Sequence, residues 1–407
     1  MEIRGLQKDL EAFSKLVTQR QEYMKQAPAE PDTVDPINEL SRRMHPDRIV
    51  LVLKDVFDEN ETTRTFRFEA APGGELPYFR AGQYLSLKVS VGDVLITRPY
   101  SLSSAPADSL SPDGSGGGVY DVTVRRKDGG FLTDHIWKTW RPGTPVVASG
   151  PHGNFYFEPL RDEREIIGIA GGSGITPFRS IIREMAAGGL DMTLTLLYGI
   201  VNPGDIIFGE ELRKAADVHA DRLKVFFVCS EPDDRWSGPA GFITASCIRE
   251  LAGPVAGKSF FICGPPAMYR FLDGELKDMG IAQKRIRREV FGEYDDPAAE
   301  PGFPAETAAK TFSLKVRMGS QVAVIPARGD ETVLVSLERA GIGPDSQCRS
   351  GECGWCRSLL ISGNIHVMPE NDGRRAADKK LGFFHPCSSY PLSNLEIQVP
   401  LTGAMAQ

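Results

Sequence analysis

The segment CRSGECGWC, close to the C-terminal end of the chain, restricts the possible folds more than any other feature. Its three cysteines follow Cys-x4-Cys-x2-Cys spacing, and a fourth cysteine comes later in the same region. This is the plant-type ligand pattern, in which four thiolates hold two irons. The sequence therefore predicts a [2Fe–2S] cluster on Cys348, Cys353, Cys356 and Cys387.

Two glycines and four rim residues complete this loop. Gly351 and Gly354 let the backbone wrap closely around a cluster, because glycine tolerates positive φ angles and has no side chain. A structural zinc site is the alternative, but such sites usually offer two Cys-x-x-Cys knuckles and this loop has one. A cluster that passes electrons on must be partly exposed, so we predict a partner-binding surface on the rim of the loop: Arg349, Ser350, Glu352 and Trp355.

The rest of the composition is that of a globular protein. At 407 residues, with 41% apolar and 25% charged residues, the chain is long enough for two to four domains. Seven cysteines argue against a disulfide framework, and we find neither a secretory signal nor an apolar run of transmembrane length. We therefore expect a cytoplasmic protein. Its net charge of −7 argues against nucleic acid as a partner.

From about Arg48 the sequence consists of short β-branched runs separated by Gly and Pro turns, with a flexible hairpin tip predicted at 111–118. A second motif lies among these runs. Such runs predict an antiparallel barrel. The motif consists of Arg98, Pro99, Tyr100 and Ser101. A guanidinium, a phenol and a hydroxyl at a strand end suit a flavin phosphate, the flavin ring or ribityl chain, and a ring nitrogen. The later turn DGGFLTDHIW adds three possible phosphate donors: Gly129, Gly130 and Thr133.

From Glu165 onward, apolar strands alternate with helical stretches, which predicts βαβ units and a parallel sheet. The glycine-rich turn in IIGIAGGSGITPF lies where a dinucleotide pyrophosphate meets a helix N-terminus. The strand SFFIC ends in a Cys-Gly-Pro turn, at the edge where such sheets bind ligands. Its Cys263 either lies near the nicotinamide or is a core residue. In REVFGEY, Glu289 and Phe291 are expected beside the flavin.

RPYS, GGSGITP and CGP, in this order and spacing, resemble the ferredoxin–NADP⁺ reductase superfamily. With its plant-type ferredoxin module, the chain is similar over about residues 47–401 to the modular reductases that include phthalate dioxygenase reductase, the phenylacetyl-CoA epoxidase reductase subunit and the hybrid-cluster-protein reductase. The resemblance implies flavin-binding roles for Arg98, Tyr100 and Ser101. It implies nicotinamide-binding roles for the residues of the two turns: Gly171, Gly172, Gly174, Thr176 and Pro177, then Cys263, Gly264 and Pro265.

The predicted fold is multidomain. It combines an antiparallel β-barrel, an α/β parallel-sheet domain and an α+β β-grasp domain. We expect an N-terminal helical extension at 1–46, which either packs on the barrel or joins the chain to a larger complex. The remaining boundaries are 47–158 for the flavin-binding barrel, 159–293 for the NAD(P)H-binding domain, 294–310 for a linker and 311–407 for the ferredoxin domain.

The expected chemistry is transfer of electrons from NAD(P)H through flavin to the cluster. Hydride carries two electrons and the cluster accepts one at a time, so the flavin must separate the pair, with Ser101 tuning a ring nitrogen and Tyr100 contacting the ring or ribityl chain. FAD is favoured over FMN because the DGGFLT turn suits a pyrophosphate. NADH is favoured over NADPH because the segments after the second and third parallel strands are neutral or acidic, although Arg235 argues the other way.

Two destinations for the electrons remain open. One is a terminal metalloenzyme, such as an oxygenase, and the other is a small acceptor such as free flavin, ferric iron or a quinone. The cluster domain favours the first, because hydride transfer to small acceptors does not need it. No side chain has to act as a nucleophile, so His135, His152 and His366 are expected to be structural or surface residues.

Overall fold

The computed structural model describes residues 6–26, 35–110, 118–290 and 296–400. The chain divides into two units, one up to Arg43 and the other from Met44 onward. The first unit contains helix α1, Leu6–Gln26, which the periodicity of its apolar residues predicts, and most of helix α2, Pro36–Met44. The predicted hairpin tip at 111–118, apart from Gly118, and the predicted flavin contact of Phe291 lie outside the described residues.

A six-stranded antiparallel sheet in the order β4-β3-β6-β1-β2-β5 confirms the predicted barrel fold. Leu102, just after β4, bridges Val122 of β5, so the two edge strands meet and the sheet closes. Alternate strand residues such as Leu85 and Leu87 point inward and are fully buried, which contributes about 1.5–3 kcal/mol each. The elements are β1 Ile49–Asn60, β2 Thr63–Ala70, β3 Tyr84–Val91, β4 Val94–Ser101, β5 Val119–Arg125, α3 Phe131–Thr139 and β6 Pro145–His152.

A parallel five-stranded sheet follows, in the order β11-β10-β7-β8-β9. Helices cover both of its faces, which explains why β7 is apolar and buried after its first residue. The chain runs from β7 outward to β9 and then returns to place β10 on the other side of β7, so the strand order reverses between β7 and β10. The carboxyl ends of strands at such a reversal form a ligand-binding crevice. The elements are β7 Glu165–Gly171, α4 Thr176–Ala186, β8 Thr193–Ile200, α5 Gly209–Val218, β9 Leu223–Cys229, α6 Ala245–Ala252, β10 Ser259–Cys263, α7 Pro266–Asp278 and β11 Ile286–Glu289.

A mixed sheet in the order β13-β12-β18-β14-β16 forms the C-terminal domain and confirms the β-grasp prediction. Strands β12 and β18 are parallel, and helix α8 buries Val333 and Leu337 in the core of this domain. A two-stranded ribbon of β15 and β17 accompanies the sheet. The elements are β12 Thr311–Met318, β13 Gln321–Arg328, α8 Val333–Arg339, β14 Ser358–Ser362, β15 Ile365–Val367, α9 Ala376–Lys380, β16 Phe383–Phe384, β17 Ser389–Pro391 and β18 Leu395–Val399.

The described part of the predicted linker, residues 296–310, packs against the C-terminal domain. Phe303 is buried, with its ring 5.5 Å from that of Tyr390 and 5.2 Å from that of His366. Glu300 forms an ion pair of 2.5 Å with Arg270 of α7. A single aromatic contact leaves no periodic pattern in the sequence, which is why the sequence predicts only a linker here.

Candidate functional site

A cavity of about 730 Å³ lies at the reversal of strand order, between the barrel and the parallel sheet. Its size and mostly apolar wall suit a cofactor ring system. The three motifs that the sequence singled out meet in this wall. The predicted residues that line it are Pro99, Tyr100, Ser101, Gly171, Gly172, Gly174, Thr176, Cys263, Gly264 and Pro265.

Ser101, the last residue of β4, provides the cavity with an unused hydrogen-bonding group. Its side chain is 4% exposed, and its hydroxyl has no hydrogen-bond partner in the protein. A buried hydroxyl without a partner is unfavourable, so the position favours a ligand that forms a hydrogen bond there. Next to it, burial raises the pKa of Tyr100 to about 12, so its phenol stays neutral. Both groups fit the predicted contacts to a flavin ring.

The two glycine turns fit together so closely that side chains are excluded. A β-carbon on Gly174 would overlap the carbonyl oxygen of Cys263, and one on Gly171 would lie 2.7 Å from the sulfur of Met268. Gly172 has a φ of 53°, in the left-handed region that favours glycine. The chain then enters α4, with Pro177 in its first turn and outside the cavity wall. The backbone N–H groups of this helix start are suited to a pyrophosphate.

From the sequence, Cys263 was expected either in the core or near the nicotinamide. In the structure it is part of the core and also lines the cavity. It is buried at the end of β10, and burial raises the pKa of its thiol well above the usual range. The turn after it is fixed by Tyr269, whose hydroxyl accepts a hydrogen bond from the Gly264 N–H at 2.9 Å and donates one to the Glu289 carbonyl at 2.5 Å. Cys263 is therefore a neutral thiol held in a fixed position.

Five predicted flavin contacts among the described residues do not line the cavity: Arg98, Gly129, Gly130, Thr133 and Glu289, the last of which is buried at the end of β11. Arg98 donates from Nη1 to the Thr97 carbonyl at 2.9 Å, and the same nitrogen lies 3.5 Å from a carboxylate oxygen of Glu338 in the C-terminal domain. The hydroxyl of Thr133 accepts a hydrogen bond from the Lys127 N–H at 3.1 Å. Gly129 and Gly130 lie with Thr133 at the start of α3. Their binding of flavin phosphate stays a prediction.

One pair of residues in the cavity wall was missed from the sequence. Arg125 of β5 donates to Asp205, in the turn after β8, at 2.9 Å, and so connects the barrel to the parallel sheet. Its Nη1 atom lies only 3.2 Å from where a β-carbon of Gly172 would be, so the cation lies over the glycine turn. The alternation in β5 places Arg125 on the same side as Thr123, which also lines the cavity. That alternation is the sequence pattern from which Arg125 could have been assigned to the cavity wall.

The four C-terminal cysteines converge in the structure. Cys348, Cys356 and Cys387 are buried and Cys353 is exposed. The thiol of Cys348 contacts those of Cys353 and Cys387, and the thiol of Cys387 contacts that of Cys356. In the described ranges, no three or more His, Cys, Asp or Glu side chains surround a position for a single metal ion. Neighbouring sulfurs in the pairs 348/353 and 356/387 instead fit a two-iron cluster.

The loop 348–356, which we call the cluster loop, also has the backbone that such a cluster needs. The N–H groups of Ser350 and Cys353 point to the Cys348 sulfur at 3.5 and 3.4 Å. Gly351 has a φ of 82°, and a β-carbon there would overlap the carbonyl oxygen of Asn371. Donors directed at sulfur offset the negative charge of a thiolate-bound cluster.

The predicted partner surface on this loop is wrong for two of its four residues. Arg349 and Ser350 are each 1% exposed, because this side of the loop faces the barrel, where Arg349 Nη1 lies 3.3 Å from the Thr97 carbonyl oxygen. Glu352 and Trp355 are exposed, together with Cys353. The cluster loop therefore has an inner side against the barrel and an outer side towards solvent.

Comparisons with known proteins match all three parts. The family models are the oxidoreductase FAD-binding domain at residues 51–157, the oxidoreductase NAD-binding domain at 169–273 and the 2Fe-2S iron-sulfur cluster binding domain at 318–392. These ranges contain, respectively, the RPYS motif, the two glycine turns and the four cysteines.

Curated relatives align over most of their length. The glycine betaine monooxygenase reductase subunit of Chromohalobacter salexigens is 24% identical, over 87% of this chain and 95% of the relative. The ferredoxin reductase component of the 3-ketosteroid-9-alpha-monooxygenase of Mycobacterium tuberculosis is 28% identical, over 84% and 93%. Among solved structures, phthalate dioxygenase reductase superposes with a TM-score of 0.61 at 23% identity, over 87% of this chain and 98% of that one, which is a likeness of fold.

Proposed function

Since this chain belongs to the modular flavin reductases of the ferredoxin–NADP⁺ reductase superfamily that end in a plant-type [2Fe–2S] ferredoxin domain, we propose that it is the reductase component of an oxygenase system. It is an NAD(P)H-dependent oxidoreductase with FAD, a nicotinamide and a [2Fe–2S] cluster as its cofactors. When bound, the flavin accepts hydride and the cluster passes electrons on singly. Its proposed acceptor is an oxygenase protein.

The observation that supports this proposal most directly is the position of strand β4. At the end of β4, Ser101 and Tyr100 line the cavity, and four residues earlier Thr97 contacts Arg349 of the cluster loop. At the rise of a β-strand, these two points lie about 13 Å apart. A flavin held by the RPYS motif would therefore lie between the nicotinamide pocket and the cluster loop, in the order that electron transfer requires.

The side chains and turns provide binding and orientation. Ser101 is proposed to form a hydrogen bond with a ring nitrogen of the flavin, and Tyr100 to contact the ring or ribityl chain. The turn from Gly171 to Thr176 is proposed to bind the nicotinamide pyrophosphate, with Cys263 flanking the nicotinamide. Gly129, Gly130 and Thr133 are proposed to bind the FAD pyrophosphate from the start of α3. The cysteines of the cluster loop and Cys387 are proposed as the iron ligands.

The outer side of the cluster loop is the proposed docking site for the oxygenase. It exposes Glu352, Cys353 and Trp355, next to the proposed electron outlet. The domain boundaries stated from the sequence and a cytoplasmic location are also part of the proposal. Among the helices that the structure describes, none combines the length and apolar character of a membrane span.

The experiment that tests the proposal is Cys353→Ser, with Cys247→Ser in α6 as the matched control. The variant should lose the absorbance and the EPR signal of the cluster and its reduction of cytochrome c, but keep NADH-dependent reduction of its flavin. Reduction of free flavin or ferric iron should persist in both variants. If Cys353→Ser lacks the cluster but still reduces cytochrome c and sustains full physiological turnover, electron transfer through the cluster is not needed and the proposal fails.

A further inference from the structure

A buried group of charges joins the C-terminal domain to the flavin strand, and the function proposed above uses only its contact between Arg349 and Thr97. Its centre is Glu338 in helix α8, which is 6% exposed. Carboxylate oxygen Oε1 of Glu338 lies 2.6 Å from Arg349 Nη1 and accepts a hydrogen bond from the Thr97 N–H at 3.3 Å. The other oxygen lies 3.5 Å from Arg98 Nη1. One carboxylate therefore faces two guanidinium groups from two domains.

The arginines on either side of Glu338 belong to the two sites between which electrons must pass. Arg349 follows Cys348 directly, and its guanidinium also contacts the Thr97 carbonyl oxygen at 3.3 Å. Arg98 begins the RPYS motif on β4. Glu338 and Arg349 thus hold both the N–H and the C=O group of Thr97, on the strand that leads to Ser101.

The cluster loop cannot leave this position without breaking several contacts together. Arg349 is among the largest fully buried side chains of the protein, and its φ of 54° is unusual for a residue other than glycine. A buried guanidinium that loses its carboxylate partner is strongly unfavourable, so loop, helix and strand are fixed as one unit. Such rigid support keeps a functional site at its working geometry.

We propose that Glu338 is a positioning residue for electron transfer: it fixes the inner side of the cluster loop against β4 and so sets the rate of the step from flavin to cluster. Glu338 is not among the residues proposed to bind either cofactor, and it acts through Arg349 and Thr97. The inference rests on the proposed function, since it needs a flavin at RPYS and a cluster on the loop. It adds a residue that determines the rate of electron transfer between the two sites.

The test compares three variants of the full protein with its cofactors bound. Glu338→Asp keeps the charge but shortens the side chain by about 1.5 Å, one carbon–carbon bond. Glu338→Gln keeps the length and removes the charge. Glu331→Gln is the matched control, because Glu331 pairs with Arg339 inside the same domain and forms no hydrogen bond or ion pair with β4 among the described residues.

Stopped-flow absorbance separates reduction of the flavin by NADH from reduction of the cluster, and hydrogen–deuterium exchange reports on residues 94–101 and on the cluster loop. In both Glu338 variants we expect flavin reduction within twofold of wild type and cluster reduction slowed at least fivefold. Exchange should accelerate at Thr97 in Glu338→Asp. The Glu331→Gln protein should match wild type in all three measurements.

Three results would overturn this inference without affecting the proposed function. The first is wild-type cluster reduction in both Glu338 variants. The second is slowing in Glu338→Gln while Glu338→Asp behaves as wild type, which would assign the effect to charge. Equal slowing of both steps would also reject it, because that points to a general loss of structure. If NADH fails to reduce the cluster even in the wild-type protein, the proposed function itself is wrong.

Discussion

The backbone of Gly174 lies so close to the carbonyl oxygen of Cys263 that no β-carbon fits between them. Gly174→Ala must therefore move one of the two turns, since backbone cannot rotate away as a side chain does. We expect the Kd for NADH to rise at least tenfold and the free energy of unfolding to fall by about 1–3 kcal/mol. Isothermal titration and urea unfolding measure the two effects. Gly274→Ala in α7, where an added β-carbon meets no neighbour, is the control and should leave NADH binding unchanged.

The unpaired hydroxyl of Ser101 leads to a prediction about rate. In Ser101→Ala, we expect NADH to reduce the flavin about ten times more slowly, the effect of losing one hydrogen bond worth ~1.4 kcal/mol to the reacting ring. Stability should change little, because this hydroxyl has no partner in the protein. Ser86→Ala on the adjacent strand is the control: its hydroxyl is also buried and unpaired but does not line the cavity. Equal effects of the two substitutions would contradict the role assigned to Ser101.

The ends of β8 and β9 lead to a prediction about nicotinamide preference. Val201 and Ser230 line the cavity there, and Arg235 is an exposed residue paired with Asp233 at 2.6 Å. Selection for a 2′-phosphate would require a cation at these strand ends. We expect kcat/KM for NADH to exceed that for NADPH at least tenfold, and Ser230→Arg to narrow the ratio. Arg235→Gln should leave the ratio unchanged, and a large shift in that variant would identify Arg235 as a phosphate contact.

His152 leads to a prediction about pH. Its imidazole lies against Tyr84, with ring centroids 5.9 Å apart, and burial lowers its pKa to about 4. The nearby His45 acts in the same direction, whereas Asp47 and Cys348 oppose the shift. Between pH 4 and 6.5 the unfolded chain binds more protons than the folded one at this site, so this part of the stability is present above pH 6.5 and is lost as the pH falls through about 4.

The measurement is urea unfolding of wild type and His152→Gln at pH 4.5 and 7.5. The variant should lack a pH-dependent contribution on the order of 2 kcal/mol. An unchanged pH dependence in His152→Gln would show that other groups account for it. Because the pKa lies far below neutral, we expect no effect of this residue on the pH dependence of turnover between pH 7 and 8.

The features that could be recognised from the sequence are local. The glycine turns and the cysteine loop each lie in a short segment whose chemistry is set by its own residues. The unpredicted features depend on partners far away in the chain. Arg125 and Asp205 are 80 residues apart, and Thr97 and Glu338 are 241 apart. Arg349 was expected at the surface because it lies on the rim of a loop that must be partly exposed. It is buried because its guanidinium contacts Glu338 of its own domain and the Thr97 carbonyl of the barrel.

The buried inner side of the cluster loop also limits how this protein can deliver electrons. A ferredoxin that shuttles between donor and acceptor presents one exposed face to each in turn. Here the face that would meet the donor is already closed against the barrel by Arg349, while the outer side remains open around Cys353. We therefore expect electrons to enter the cluster from its inner side and to leave from its outer side. The acceptor protein has to bind at the outer side, and only one acceptor can bind there at a time.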